Sequence, residues 1–193
     1  MSATHEHVDR TDEFLERAFR EALIARGIIT QAEVDSWIDV MHERTPSLGG
    51  RVVARAWVDP AFRSRLLADG SAAVRELGIE VGPLKLVAVE NTPEAHNLIV
   101  CTLCSCYPKM LLGLPPDWYK SIAYRSRAVR EPRAVLEEFG VHLAEGRTVR
   151  VHDSTADMRY VVIPMRPVGT EGFSEEQLQP LVTRDSMIGV EEL

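Results

Sequence analysis

No stretch of this 193-residue chain approaches the roughly 20 consecutive apolar residues that a membrane-spanning helix requires. No charged-then-apolar leader opens it, so no secretory signal is expected. Long basic runs are absent too, and 22 Lys and Arg against 29 Asp and Glu leave a net charge of −7. That balance argues against nucleic acid polymers and anionic membranes as main partners. Cysteine is scarce, at three residues, and an odd number spaced so closely gives no disulfide framework. There is no internal repeat and no low-complexity segment. The expected compartment is the cytoplasm, where thiols stay reduced until something specific uses them.

What is present suits a globular protein: 45 % hydrophobic and 26 % charged residues, enough for one domain or one domain with an extra arm. Thr11, Asp12 and Glu13 read as a helix start, with Leu15, Ala18, Phe19 and Ala22 along one face before Gly27. Thr30 and Glu33 fit a capping box ahead of a second stripe of Val34, Trp37, Ile38 and Met41. Pro46, Gly49 and Gly50 then interrupt the pattern. Residues 1–50 are therefore expected to be helical, either a hairpin or an arm whose apolar face wraps a partner chain.

Residues 51–193 are expected to form an α+β domain. Asp59-Pro60 caps one short helix, and Ser71 starts another that stops at Gly78. "LKLVAVE" (84–90) and "NLIV" (97–100) read as strands. After Pro115-Pro116 comes a helix from Trp118 to Arg127, and Pro132 opens one that closes at Gly140. "TVRVHDS" (148–154) alternates like a half-buried strand, and "RYVVIP" (159–164) reads as its partner. Ser174 and Gln177 cap a last helix.

All three cysteines fall in "VCTLCSCYP" (100–108), directly after the second expected strand. Three buried structural thiols in six positions would be unusual. Zinc would need a fourth ligand, which His96 could supply. An iron–sulfur cluster normally needs four thiolates. The spacing also permits a claw, in which the sulfurs of Cys104 and Cys106 and the backbone nitrogens of Ser105 and Cys106 form a square base. Cys101 would then be the axial ligand, and the opposite position would stay open. Backbone nitrogens bind only without their protons, so this option calls for a strongly Lewis-acidic trivalent ion, cobalt(III) or iron(III).

"VCTLCSCYP" and "LGLPPDWYKSIAYRSRAVREPR" (112–133) resemble the α subunit of nitrile hydratase. So do "RVVARAWVDPAFRSRLLADG" (51–70), "VENTPEAHNLIVCTLCSC" (89–106), "VRVHDSTADMRYVVIP" (149–164) and "GTEGFSEEQLQPLVTRDSMIG" (169–189). The motif is shared with the catalytic subunit of thiocyanate hydrolase, and its threonine form is similar to cobalt members. The resemblance implies an enzyme, a carbon–oxygen hydro-lyase that converts a nitrile to its amide. One low-spin cobalt(III), or less expectedly iron(III), would be held by Cys101, Cys104, Ser105 and Cys106. Cys104 would become a sulfinic acid and Cys106 a sulfenic acid. Cys106 and Cys104 are the implied catalytic residues, with the Cys106 sulfenate oxygen, or a water it activates, as nucleophile.

The family pattern further implies outer support from Arg159 and Asp153, and from Asp157 where the family usually has glutamate. Lys109 and Met110 stand where it commonly has Trp-Pro. A long cation in place of an aromatic wall makes a larger, more polar pocket, or else is a surface lysine under a partner. The expected substrate is accordingly a larger or more polar nitrile, such as a heteroaromatic or nucleoside nitrile. Trp118, Tyr119 and Tyr124 are expected in the core. The implied fold is a helical N-terminal arm before a layered α-β-β-α domain with the metal loop at a strand end. Implied partners are a β subunit, possibly split into two chains, and a cobalt-insertion activator protein. Thiocyanate hydrolysis and a cobalt- or zinc-carrying module without catalysis are the alternatives.

Overall fold

A computed structural model describes residues 10–104 and 106–193, and the chain divides into two compact units between Glu43 and Arg44. The first holds helices α1 (Arg10–Ala25) and α2 (Gln31–Glu43). Helix α1 already runs at Arg10, so Thr11 to Glu13 lie inside it. At α2 the capping box forms: the Glu33 amide donates to the Thr30 hydroxyl at 3.2 Å, and the Thr30 amide donates to the Glu33 carboxylate at 2.7 Å. The two helices do not pack along one another as a hairpin. Phe14, Phe19 and Trp37 remain 62, 68 and 66 % exposed, which suits the open-arm alternative.

The second unit begins at Arg44, ahead of the break expected at Gly50. Pro46, Gly49 and Gly50 do not interrupt the chain; they lie inside α3 (Pro46–Val58). Proline occupies the first turn, where its missing N–H has no helical partner to lose. Both glycines are buried. A Cβ on Gly49 would come within 2.5 Å of the Met187 sulfur and 2.9 Å of Leu112 Cδ2, so this glycine marks a close approach between elements. Helices α4 (Pro60–Ala68) and α5 (Gly70–Glu76) follow. Asp59 caps α4 by accepting from the Ala61 and Phe62 amides at 3.0 and 2.9 Å. Asp69, not Ser71, caps α5, accepting from Ala72 at 3.0 Å.

Strands β1 (Lys85–Glu90) and β2 (Ala95–Val100) lead into α6 (Lys109–Leu112), α7 (Asp117–Lys120), α8 (Ile122–Arg130) and α9 (Pro132–Glu138). Strands β3 (Thr148–Asp153) and β4 (Met158–Ile163) come next, then α10 (Glu175–Leu178) and α11 (Arg184–Ile188). The helix expected through Trp118 to Arg127 is two helices, split at Ser121, whose hydroxyl accepts from the Tyr124 amide at 3.1 Å and caps α8.

The strand partners differ from expectation. β4 is not the partner of β3; it pairs in parallel with β1, while β3 pairs in parallel with β2. The short links after β1 and β3 are corners between layers instead of hairpin turns. One is closed by the Thr92 amide on the Ala95 carbonyl at 2.8 Å, the other by the Thr155 amide on Met158 at 3.1 Å. Strand β2 is buried at all six positions, so it needs cover on both faces, and parallel layers supply it. Helices α4 and α5 lie on β1, α11 on β4, α8 on β2 and α9 on β3, and β2 meets β4 between the layers. This is the layered α-β-β-α order. Among the described residues no helix is long and apolar enough to cross a membrane.

Candidate metal centre

The parallel pairing fixes where the thiols emerge. Val100, the last residue of β2, is in register with Asp153, the last of β3. The Ser154 amide closes that end on the Val100 carbonyl at 2.8 Å. The loop leaves from this paired edge. Cys101 and Cys106 are buried, Cys104 is exposed, and none forms a disulfide. The three sulfurs lie within 4.8 Å of one another, with Cys101 to Cys104 at 3.5 Å and Cys104 to Cys106 at 3.1 Å. With metal–sulfur bonds of about 2.3 Å, two sulfurs at a right angle on one ion stand about 3.3 Å apart, and at a tetrahedral angle about 3.8 Å. The observed separations bracket the right-angle value. Ser105, the expected donor between them, lies outside the described residues.

Burial pushes the Cys106 thiol up to about 12, helped by hydrogen bonding with Cys104 and Cys101 and opposed by the positive charge of Arg159. At neutral pH this thiol keeps its proton until a cation takes its place. The donor set therefore fits a soft, thiophilic metal ion. It does not use His96. That ring is fully buried, with Nε2 2.7 Å from the Gly189 carbonyl oxygen and Nδ1 3.4 Å from Asn91. Among the described residues the metal-competent cluster is the three cysteines, so the zinc option with His96 as fourth ligand is not supported.

Side chains from four other elements hold the loop. Asp153 accepts from the Thr102 amide at 2.9 Å and from the Thr102 hydroxyl at 2.6 Å. Arg125, on α8, donates from Nη1 to the Cys104 carbonyl at 2.8 Å. The Tyr119 hydroxyl, on α7, donates to the Cys106 carbonyl at 2.9 Å, and that of Tyr124 to the Ile99 carbonyl at 2.6 Å. Tyr107, Trp118, Tyr119, Tyr124 and Phe139 stack edge to face behind the loop. These aromatics belong to the core, as expected, yet two of them also grip the loop's backbone. Arg125 and Tyr119 were not legible as site residues, because neither stands at any fixed spacing from the cysteines.

Arg159 extends from β4, and its Nη1 donates to the carbonyls of Ala156 at 3.2 Å and Met158 at 3.1 Å. Its Nε is buried and has no hydrogen-bond partner. Asp157 is exposed, and its backbone carbonyl accepts from the Lys85 amide at 2.8 Å. Lys109 is exposed at the start of α6, whereas Met110 is packed into the core. An open cleft of about 450 Å³ beside the loop is lined by Thr102, Ile122, Arg125, Ser126, Val129 and Arg130. Lys109 and Met110 are not part of its lining.

The family model described as "Nitrile hydratase, alpha chain" matches residues 10–191. The cobalt-containing nitrile hydratase subunit alpha of Pseudonocardia thermophila is 52 % identical over 180 residues, covering 91 % of this chain and 87 % of that one. The thiocyanate hydrolase subunit gamma of Thiobacillus thioparus is 40 % identical over 190 residues, covering 92 % and 78 %. Among solved structures, a double histidine-to-alanine mutant of the iron-type nitrile hydratase from Comamonas testosteroni Ni1 superimposes with a TM-score of 0.91. It is 44 % identical and covers 96 % of this chain and 91 % of its own.

Proposed function

The chain belongs to the nitrile hydratase α-chain family, and from that premise we propose that it hydrates a nitrile to the amide using one low-spin cobalt(III) ion. The convergence of the three cysteine sulfurs within 4.8 Å carries this reading. Cys101, Cys104 and Cys106 would hold the ion through sulfur, and the backbone nitrogens of Ser105 and Cys106 would complete the set. A trivalent ion there supplies Lewis-acid polarisation of the nitrile. Thr102 in the motif and the cobalt-containing relatives support cobalt; the iron-type structural neighbour makes iron(III) the alternative.

The chain's own residues prepare the site. Cys104 as a sulfinic acid and Cys106 as a sulfenic acid would present anionic oxygens that need donors. Arg159 contributes its charge beside Cys106 and a buried N–H without a partner. Asp153 pins Thr102 and with it the entry of the loop, and Asp157 is assigned a lesser supporting part. The Cys106 oxygen, or a water it activates, is the proposed nucleophile toward the nitrile carbon. Lys109, exposed at the start of α6, is the proposed polar wall of the pocket, backed by Met110 from the core. It favours a nitrile larger or more polar than simple aliphatic ones.

As an α chain it works with a β chain, and the exposed Phe14, Phe19 and Trp37 of the arm suit a surface that a partner covers. A cobalt-insertion activator and a cytoplasmic location complete the proposal. Mass spectrometry of the chain purified with its partner from cobalt-supplied cells is the test. The expected result is one cobalt per chain and about three added oxygens on the peptide 101–106, with turnover of nitriles over thiocyanate. Zinc with unoxidised cysteines would sink the proposal. Preferential turnover of thiocyanate would move the chain to the hydrolase branch, which the 40 % identical relative keeps open.

A further inference from the structure

We propose that Arg125 is a positioning residue for the metal loop: hydrogen-bonded to the Cys104 carbonyl, its guanidinium holds and charge-balances the peptide that offers the Ser105 nitrogen to the metal. This rests on the metal reading above.

The Cys104 carbonyl oxygen, 2.8 Å from Arg125 Nη1, belongs to the peptide that joins Cys104 to Ser105. Resonance shares electrons between the oxygen and nitrogen of a peptide. When such a nitrogen binds a metal without its proton, part of the resulting negative charge therefore sits on the carbonyl oxygen. A neutral donor could satisfy that oxygen but could not balance its charge. Arginine stays cationic throughout the accessible pH range, and a hydrogen bond from a charged donor to a charged acceptor is roughly twice as strong as a neutral pair.

The surroundings keep this charge available. Arg127, two positions along the same helix, is neutralised by Glu131 at 2.6 Å and Glu138 at 2.6 Å. Arg125 has no such carboxylate partner among the described residues, and its Nε is buried with no acceptor. Its contact with the loop is its one hydrogen bond among the described residues. The helix that carries it is itself fixed to β2 through the Tyr124 hydroxyl on Ile99. The two arginines thus divide the loop, Arg159 facing the thiol of Cys106 and Arg125 facing the backbone of Cys104.

The test compares wild type, Arg125→Gln and Arg125→Lys, each purified with its partner from cobalt-supplied cells. Cobalt retained after timed exposure to a reducing chelator solution is measured, with the visible absorption of the bound metal and the melting temperature of the metal-free chain. Arg125→Gln is expected to lose cobalt about 10- to 100-fold more readily, the range typical of groups that orient metal ligands, with a shifted absorption band. Arg125→Lys keeps the charge and is expected to recover most of the retention. The metal-free melting temperatures should stay close together. Equal retention in Arg125→Gln and wild type would overturn the inference. Equal losses in both variants, matched by a fall in metal-free stability, would overturn it in favour of a structural role. A wild-type chain that takes up no cobalt would overturn the metal reading and this inference with it.

Discussion

Thr102 and Asp153 stand 51 positions apart in the chain and are joined by two hydrogen bonds to a single carboxylate, at 2.9 and 2.6 Å. Their meeting follows from parallel pairing, because Asp153 ends β3 beside the last residue of β2. A loop that must hold three sulfurs in a fixed array gains from being pinned at its second residue. Metal ligands depend on such outer contacts for their orientation.

Asp153→Ala removes both acceptors. The site is exposed, so water replaces them and the stability cost is about 1 kcal/mol. The larger effect is expected in cobalt content, since the loop loses its anchor. Asp153→Asn keeps one acceptor and should fall between. Metal analysis beside melting curves checks this, and full cobalt occupancy in the alanine variant would refute it.

Tyr119→Phe preserves the ring stack and deletes only the donor to the Cys106 carbonyl. That carbonyl lies in a buried setting, so the expected cost is about 1–3 kcal/mol, each 1 kcal/mol lowering the melting temperature by about 2–4 °C for a chain of this size. An unchanged melting temperature would mean that the hydrogen bond does not exist in solution.

His96 gives the chain a pH dependence. Burial holds it below its ordinary value of 6.5; the Gly189 carbonyl pulls it back up, Arg147 pushes it down, and Glu192 raises it. Burial likewise lowers His152. Below 6.5 the unfolded chain therefore binds protons that the folded chain refuses. Stability is full above that value and is lost as pH falls toward the folded value. Urea midpoints compared at about pH 7.5 and about pH 5.5 should show the lower midpoint in acid. A midpoint that rose on acidification would contradict this sign.

Gly189 has φ +93°, and a Cβ there would run into the Asn97 carbonyl of β2. Gly189→Ala combines an unfavourable backbone conformation with a clash against a strand that cannot yield, so a loss above about 2 kcal/mol is expected. A Cβ on Gly146 meets nothing within 4 Å, and Gly146→Ala should change stability by less than about 0.5 kcal/mol. Chemical denaturation of the two variants side by side decides it.

The sequence by itself determined what is local. Three thiols within six positions can reach one ion whatever surrounds them, because the backbone between them is too short to separate them. The caps at Thr30, Asp59 and Ser174 were legible for the same reason: each hydrogen bond spans two or three residues. Tertiary structure decided everything that depends on which layer covers which face. It turned an expected β3–β4 hairpin into two parallel ribbons, absorbed Gly49 and Gly50 into a packed helix, and turned His96 toward Gly189 instead of the thiols. It also brought Asp153, Arg125 and Tyr119 to the loop from 51, 21 and 13 positions away from their partners. Such contacts leave no periodic trace in a sequence, since what selects them is the burial of β2 on both faces and the strand register that this burial imposes.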